Sequence, residues 1–483
     1  MRLRRIIDTA DVAAYALAHK GDAPGVDPAF QLITKTADFS ALWLATAAVL
    51  AATKGRAGRR AAARGLLAIG LTSAVVNGPM KSAVRRPRPD NRLIPIDRIK
   101  HRRTRTSSFP SGHSASAAAF AVAASAELPA AAVPLGSMAA LVAASRVRTG
   151  AHYPGDVLAG LGIGAGVALA TKRVWPVPPP EAALAHPGHP DPEWARETGK
   201  GVHIIVNPDA GPAFSKAPAE VLERELPDIR IIEIDGDIEK ALDEAREGGE
   251  VIGSAGGDGS VNAAAAVALE HDLPLAVVPA GTLNHFARDI GLETVDDSVE
   301  AIRAGAVAKV DVGLIAGEVF LNTASLGSYA ELVHAREKLE SRIGKWPAVF
   351  VALARVLRSC PPVDVEIDGQ PRRIWMAFFG NCRYRPSGFA PSWRERLDDN
   401  LVDVRIVDAQ APYARLRLLL AVLTGTLGRC RVYEQRTATS VRIKSQQGPL
   451  RLARDGEVFD GPEEFVVEKA DKQLQVFAKP LDD

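Results

Sequence analysis

Lys172-Arg173-Val174-Trp175-Pro176-Val177-Pro178-Pro179-Pro180 ends one kind of sequence, and Gly201-Val202-His203-Ile204-Ile205-Val206-Asn207-Pro208 begins another. Upstream of the proline run lie Ala-rich apolar stretches at 39–53, 65–80, 115–128, 130–145 and 157–171. Each falls a little short of the roughly 20 residues that cross a bilayer core squarely. They are nevertheless apolar around most of their circumference and carry almost no internal charge, as lipid-facing helices do. Five spans are expected, with residues 6–19 as a sixth or an interfacial helix. The prolines cannot continue a helix, so 176–199 reads as a stiff linker in which His186 and His189 are incidental. Downstream, β-branched runs at 202–206, 229–234, 251–254 and 275–278 alternate with helical stretches near 216–226, 237–247, 260–270 and 283–290. That alternation predicts a parallel sheet with flanking helices. After residue 309 strands dominate, at 309–314, 319–325, 363–367, 374–380, 402–407, 439–443 and 474–479. They predict a β-rich lobe with helices inserted at 331–358 and 412–428.

The charge divides at the same place. Residues 1–175 hold 24 Lys/Arg against 9 Asp/Glu, a balance of +15, and the remainder hold 35 against 48, a balance of −13. The net charge of +2 for 483 residues is therefore a cancellation between two unlike parts. Hydrophobic content of 47% excludes a disordered chain. Cys360, Cys382 and Cys430 stand far apart, which excludes a disulfide scaffold or a Cys-based zinc site. Met1 to Arg5 is basic, but no apolar segment of signal-peptide length follows, so no cleavable signal is expected.

Three fragments of the first part carry chemistry: Lys81-Ser-Ala-Val-Arg85-Arg86-Pro87-Arg88-Pro89, Pro110-Ser111-Gly112-His113, and Ser145-Arg146-Val-Arg-Thr-Gly-Ala-His152-Tyr-Pro-Gly-Asp156. A phosphoryl group spreads charge over its equatorial oxygens and is met by fixed cations and amide donors. Lys81, Arg88, Arg146 and the Ser111–Gly112 turn supply them. His152, four residues before Asp156, has the spacing for a carboxylate to hold one ring nitrogen while the other attacks. His113 is then the acid for the leaving alkoxide. These fragments, in this order and each beside an apolar span, resemble the type 2 phosphatidic acid phosphatase family over about residues 35–175. The resemblance implies a metal-independent integral membrane phosphatase without a cofactor. Lys81, Arg88, Ser111, Gly112 and Arg146 would bind phosphate, His113 would be the acid, and His152 would form a phosphohistidine supported by Asp156.

In the second part, Gly256-Gly257-Asp258-Gly259-Ser260 follows a strand and opens a helix, and Pro279-Ala-Gly281-Thr282-Leu-Asn284 repeats the same strand–turn–helix logic. Glycines let backbone N–H groups approach phosphate, and the helix N-terminus adds donors. Asp258 is placed to meet Mg²⁺ or its water shell. Neither a P-loop nor a dinucleotide fingerprint is present. With Val206-Asn207-Pro208 and Asp455-Gly456-Glu457, residues 200–480 resemble the diacylglycerol kinase catalytic family. The resemblance implies ATP and Mg²⁺ as cofactors, with Asn207, Gly256, Gly257, Asp258, Gly259 and Thr282 around the nucleotide. Asp455 would be the general base, with Glu457 beside it. The chain departs from the family pattern at Ala263, His285 and Asn400.

The expected fold is an all-α transmembrane helical bundle (1–175), a linker (176–199), and a soluble two-lobed kinase. The kinase has an α/β parallel-sheet nucleotide lobe (200–308) and a β-rich sandwich lobe that binds lipid (309–483). The expected function is a bifunctional membrane lipid enzyme whose partners are membrane lipids and not nucleic acid. The alternative is a membrane phosphatase with an inactive, nucleotide- or lipid-sensing kinase-like domain. By span parity the phosphatase fragments share one face of the cell membrane and the second domain begins on the other. ATP then places the kinase in the cytoplasm and the phosphatase site outside. The five basic residues of 54–64 and Lys172-Arg173 fit that orientation. The ten Lys/Arg between Lys81 and Arg105 run against it.

Overall fold

The computed structural model describes residues 2–19, 27–90, 106–177, 189–207, 218–281, 284–327, 351, 355, 358, 361–386, 393–424 and 426–480. The helix expected over 331–358, apart from residues 351, 355 and 358, the basic run from Arg92 to Arg105, Thr282, Cys360, His186 and most of the proline-rich stretch lie outside these residues. Contacts divide the chain into two compact units, Met1–Val177 and Pro178–Asp483.

The first unit is helical: α1 (Arg2–Ala18), α2 (Asp27–Thr36), α3 (Ala41–Thr53), α4 (Gly55–Val75), α5 (Lys81–Ala83), α6 (Gly112–Glu127), α7 (Ala132–Arg148) and α8 (Pro154–Val174). A π-helical turn, Val76–Met80, carries Pro79 between α4 and α5. Helix α6 lies against α4, α7 and α8 and buries Ala115, Ala119, Phe120, Ala123 and Ala124 among them. Its alanines allow close approach, and the facing glycines of α8 allow more. A methyl group on Gly164 would come within 2.0 Å of the Ala115 carbonyl oxygen, and one on Gly160 within 2.5 Å of that of Ser111. The two backbones therefore touch. At the far end of α6, Glu127 accepts from Arg60 Nε (2.8 Å) and from Arg64 Nε (2.6 Å). Arg64 also lies 4.7 Å below the Trp175 ring, which closes the end where the chain leaves this unit.

Helices form at all five stretches expected to span, but they are not equivalent. Three are long and apolar enough to cross a membrane, Gly55–Ala83, Pro129–Arg148 and Pro154–Arg173. The pair α2 and α3, bent by 73°, makes a fourth candidate. Helix α6, at 16 residues, is shorter than a span and is the enclosed centre of the group.

The second unit holds two large sheets. The seven-stranded sheet contains β1 (His189–Pro190), β2 (Val202–Val206), β3 (Arg230–Glu233), β4 (Val251–Gly256), β5 (Leu275–Pro279), β6 (Ala306–Val310) and β20 (Leu474–Phe477). Its order is β1-β6-β20-β5-β4-β2-β3, parallel from β20 to β3. Strands β2 and β4 are buried along their whole length, as strands covered on both faces are. The larger sheet contains β7 (Gly313–Ile315), β8 (Glu318–Phe320), β9 (Thr323–Gly327), β10 (Val363–Ile367), β11 (Gln370–Asn381), β14 (Val402–Asp408), β15 (Tyr433–Ala438), β16 (Ser440–Ser445), β17 (Leu450–Arg454), β18 (Glu457–Gly461) and β19 (Glu464–Lys469). It is antiparallel, and β12 (Tyr384–Arg385) pairs separately with β13 (Trp393–Arg394).

The start of the strand expected at 309–314, and the strand expected at 474–479, belong elsewhere than the β-rich part. Ala306–Val310 and Leu474–Phe477 extend the seven-stranded sheet, so the chain returns to it after completing the other. Sequence order alone cannot show such a return. The end of the expected linker is also structured, since β1 pairs with β6 and Asp191 N–H donates to the Gly305 carbonyl.

Candidate functional site

In the first unit the sequence-derived residues gather at one end of the helices. Lys81 follows the π-helical turn, and its Nζ donates to Asn77 Oδ1 at 2.8 Å. A methyl group on Gly112, at the start of α6, would sit 3.7 Å from that Nζ. Arg88 is fixed through Nη1 to the Ala151 carbonyl (2.9 Å) and Nε to the Thr106 carbonyl (3.2 Å). Ser111 N–H donates to the Asp156 carbonyl, which ties the Ser111–Gly112 turn to α8. The Arg146 carbonyl accepts from the Ala151 and His152 amides, so the loop closes over the end of α7. Arg146 is only 3% exposed, and neither Nε nor Nη1 has a hydrogen-bond partner. A buried guanidinium with two unsatisfied N–H groups is costly unless an anion completes it.

The histidine arrangement differs from the spacing argument in one respect. His152 Nδ1 donates to the Ser108 carbonyl at 2.7 Å, while its distance to Asp156 Oδ2 is 3.9 Å. Ser108 Oγ in turn donates to Asp156 Oδ2 at 2.5 Å, and the other oxygen, Oδ1, accepts from Arg86 Nη1 at 2.7 Å. Asp156 thus holds the histidine through Ser108, because its place in the first turn of α8 leaves it too far for direct contact. His113 Nε2 donates to Asp38 Oδ1 at 3.0 Å. Arg86 also meets Asp11 of α1 at 2.7 Å, and Asp11 Oδ1 accepts from the Gly155 amide. Ser108, Asp38, Arg86 and Asp11 were not singled out by sequence. Ser108 and Arg86 sit inside or next to the motifs, whereas Asp11 and Asp38 carry no local signal.

In the second unit five connections converge. The Gly256-Gly257 turn leaves β4 and opens α11 (Asp258–Glu270), which follows α9 (Pro218–Glu225) and α10 (Ile238–Arg246) in the chain. The Gly281 turn leaves β5 for α12 (His285–Asp289), ahead of α13 (Val295–Ala304). A methyl group on Gly281 would come within 2.5 Å of Gly257 Cα, so these turns pack backbone to backbone. Asn207, at the end of β2, donates its N–H to the Ala255 carbonyl beside them. Asp258 Oδ1 accepts from Phe286 N–H (3.3 Å) and Asn322 Nδ2 (3.5 Å), and burial raises its pKa. Asp455 accepts three backbone N–H bonds, Oδ2 from Leu321 (2.7 Å) and Oδ1 from Asn322 (2.9 Å) and Thr323 (2.8 Å). Burial, with Asp258 adding to it, outweighs those donors and pushes the Asp455 pKa up to about 6. Glu457 lies against Gly259, where an added methyl would meet its Oε1 at 2.8 Å. All described residues of the nucleotide set are therefore neighbours, and Thr282 is outside the description. Asn322, linking Asp258 to the Asp455 loop, was missed because it lies in a strand connection without a motif.

Asp258 and Asp455, joined through Asn322, offer the carboxylate oxygens a divalent cation takes, while the glycine turns and the helix N-terminus beside them present N–H donors suited to phosphate. A second acidic group, Asp311, Cys382 and Asp399, has its ligand atoms within 4.8 Å of one another. Lys469 Nζ reaches into it, 3.3 Å from Cys382 Sγ and 3.8 Å from Asp311 Oδ2. The lysine supplies there the positive charge a metal would bring. Asn400, the departure noted in sequence, donates its N–H to Asp311 Oδ2 at 2.6 Å.

Known proteins match both halves. The PAP2 superfamily model matches residues 62–178, and the diacylglycerol kinase catalytic domain model matches residues 201–315. A diacylglycerol kinase of Bacillus subtilis (strain 168) is 31% identical over 292 residues, covering 55% of this chain and 93% of its own length. A crystal structure of a diacylglycerol kinase from Bacillus anthracis str. Sterne is 22% identical with a TM-score of 0.42, covering 58% of this chain and 97% of its own. The crystal structure of a transmembrane PAP2 type phosphatidylglycerolphosphate phosphatase from Bacillus subtilis is 26% identical with a TM-score of 0.28, covering 35% of this chain and 85% of its own. Over its second unit the chain belongs to the diacylglycerol kinase family, and its first unit matches the PAP2 superfamily model over residues 62–178, so sequences of a kinase type and of a phosphatase type share one polypeptide.

Proposed function

We propose that this chain is a bifunctional membrane lipid enzyme, a metal-independent lipid phosphate phosphatase followed by an ATP-dependent lipid kinase. The observation that carries the phosphatase reading is Arg146, buried with two unsatisfied N–H groups beside the His152 loop. In this reading Arg146, Lys81, Arg88 and the Ser111–Gly112 amides hold the phosphate oxygens. With Nδ1–H committed to the Ser108 carbonyl, His152 attacks through Nε2 and a P–N bond forms as the P–O bond breaks. His113, steadied by Asp38, gives its proton to the departing alkoxide and then takes one from the water that cleaves the phosphohistidine. Asp156, 3.9 Å away, offsets the positive charge that develops on the imidazole.

In the second unit we read the seven-stranded sheet as the nucleotide lobe and the antiparallel sheet as the lipid lobe. The Gly256–Gly257 and Gly281 turns present amides to the phosphates, and Asp258 is the residue to hold Mg²⁺. A divalent ion held there would supply charge neutralisation on the transferring phosphoryl group. Asp455 receives the proton of the lipid hydroxyl, for which a pKa near 6 suits it. The three amides already on its carboxylate are the one observation that favours the alternative, a sensing domain without transfer.

The apolar helices support reading the chain as a multi-pass protein of the cell membrane. The phosphatase residues lie at one end of the group and the Arg64–Glu127–Trp175 cluster, where the chain leaves, at the other. That supports a phosphatase site on the outer face and a cytoplasmic kinase. A lipid alcohol released outside could then cross the bilayer and be phosphorylated inside. A C-terminal tag detected outside intact cells would sink this arrangement. The two activities are separated by paired variants of purified protein. His152→Ala abolishes Mg²⁺-independent phosphate release and leaves lipid phosphorylation intact, and Asp455→Asn does the reverse. If wild-type protein transfers no label from ATP to diacylglycerol, sphingosine or polyprenol, the sensing alternative holds.

A further inference from the structure

One helix of the second unit has a face that the kinase reading leaves unused. Helix α14 (Ala414–Thr424) packs Ala414, Leu418 and Ala421 onto Trp375, Met376, Val407 and Val432 beside strands β11 and β14 of the antiparallel sheet. Its other side carries Leu416 and Leu420, 56% and 51% exposed, and Tyr413, in the turn just before the helix, is 80% exposed. A spacing of four puts Leu416 and Leu420 on one side of the helix, and Tyr413 stands next to its first residue. Among the described residues of this unit, the other exposed large apolar side chains are Val351 and Val458. The stripe is therefore a local concentration of exposed apolar surface, of the kind that marks an interaction site.

The charge around it is equally local. Residues 411–433 contain Arg415, Arg417, Arg429 and Arg431 and no Asp or Glu, within a half of the chain whose balance is −13. Arg415 lies over the Trp375 ring at 5.7 Å, so its stem follows the flank of the helix. Cys430 Sγ lies 3.8 Å from the Arg417 carbonyl, which brings the Arg429–Arg431 turn alongside the helix. An apolar stripe flanked by arginines is the composition of an interfacial membrane element, in which rings and aliphatic side chains enter the acyl boundary and guanidinium groups stay with the headgroups. A soluble partner would have to match both a flat apolar strip and four cations. A bilayer with anionic lipids does so without a shaped pocket, and the same chain carries helices long and apolar enough to span one.

We propose that the exposed face of α14 is a membrane-docking surface that seats Tyr413, Leu416 and Leu420 in an anionic bilayer interface, with the four arginines on its headgroups. Docking would hold the second unit against the surface that contains its substrates. It stands apart from phosphotransfer and does not require that step to occur.

The test uses full-length protein in nanodiscs of phosphatidylcholine with or without phosphatidylglycerol. A nitroxide is placed at Leu416→Cys in a background in which Cys360 and Cys430 are serine. A second labelled variant of the same background carries the nitroxide at Arg451→Cys, an exposed position. Collision with a water-soluble nickel chelate should fall several-fold at 416 in anionic discs, with oxygen accessibility rising, while the 451 label stays aqueous. Exchanging all four arginines for glutamate should return the 416 label to its aqueous value without altering the 451 line shape, which reports on folding. Equal nickel accessibility at 416 in both disc types overturns the proposal. So does protection at 416 that rises with protein concentration in detergent, which would assign the face to a second copy.

Discussion

Ser108 stands between Asp156 and His152, donating its hydroxyl to the carboxylate at 2.5 Å and accepting the imidazole Nδ1–H on its carbonyl at 2.7 Å. One residue therefore sets both the tautomer of the histidine and the position of the acid. Ser108→Ala keeps the carbonyl and loses the hydroxyl bond, and bonds to charged groups contribute about 1.5–3 kcal/mol. Mg²⁺-independent phosphate release should fall by about 10- to 100-fold in kcat. KM should change little, because the phosphate-binding cations are untouched.

Arg146 offers a planar fork where a lysine would offer a point charge. Arg146→Lys should preserve the net charge yet lower kcat/KM of phosphate release by about 100-fold, the consequence of losing a bidentate contact in a buried site. ATP-dependent labelling of lipid by the same protein should be unchanged. A loss of both activities would indicate misfolding instead.

The kinase should depend on pH through Asp455. A base with a pKa of about 6 is protonated and idle in more acidic solution, so the transfer rate should rise with pH and reach half its plateau near 6. The same shift has a stability consequence of defined sign. The folded state holds this proton more tightly than the unfolded chain, whose carboxyl titrates near 3.8. The contribution to folding is therefore fully present below about 3.8 and is lost as pH rises through about 6. Comparing Tm against pH for wild type and Asp455→Asn checks this, since the variant should lack that slope.

Lys469 neutralises a buried acidic group, and removing one partner of such an arrangement costs about 3–5 kcal/mol. Lys469→Met should lower the Tm of the second unit, and added Mg²⁺ should recover part of the loss through Asp311 and Asp399. In the wild-type protein a chelator should leave that Tm where it is. The Cys382 thiol, pushed up to about 12 by burial, should stay unreactive to alkylation until the unit unfolds.

Much of this organisation is legible in the sequence because it rests on local pattern. The change from Ala-rich apolar stretches to β-branched runs marks the two parts, and a helix forms at each apolar stretch expected in the first unit, while α2 had no such signal. What could not be read is what depends on tertiary partners. Helix α6 looks like any other span in composition, and its enclosed position follows from glycines on α8, 45 or more residues away. The return of Leu474–Phe477 to the seven-stranded sheet is decided by pairing with β5 and β6, which hydrophobicity does not encode. In the site, motif spacing brought the named residues together. The contacts made by Ser108, Asp38, Asn322 and Lys469 involve no repeated spacing and became visible only in three dimensions.

The touching backbones of α6 and α8 act as a jig. Helix α6 begins with Gly112 and His113, and α8 carries Asp156 in its first turn, so two halves of the phosphatase site are mounted on parts that cannot slide. Lateral play between them is limited by the carbonyls that Gly160 and Gly164 abut. Any broadening of substrate choice in this half must then come from its rim, from the residues around Arg86 and around Ser108, and from α1 with its Asp11. Sequence drift should be sparse along the α6–α8 seam and dense at the rim. An engineer seeking a new lipid specificity would begin with the rim and leave the seam untouched.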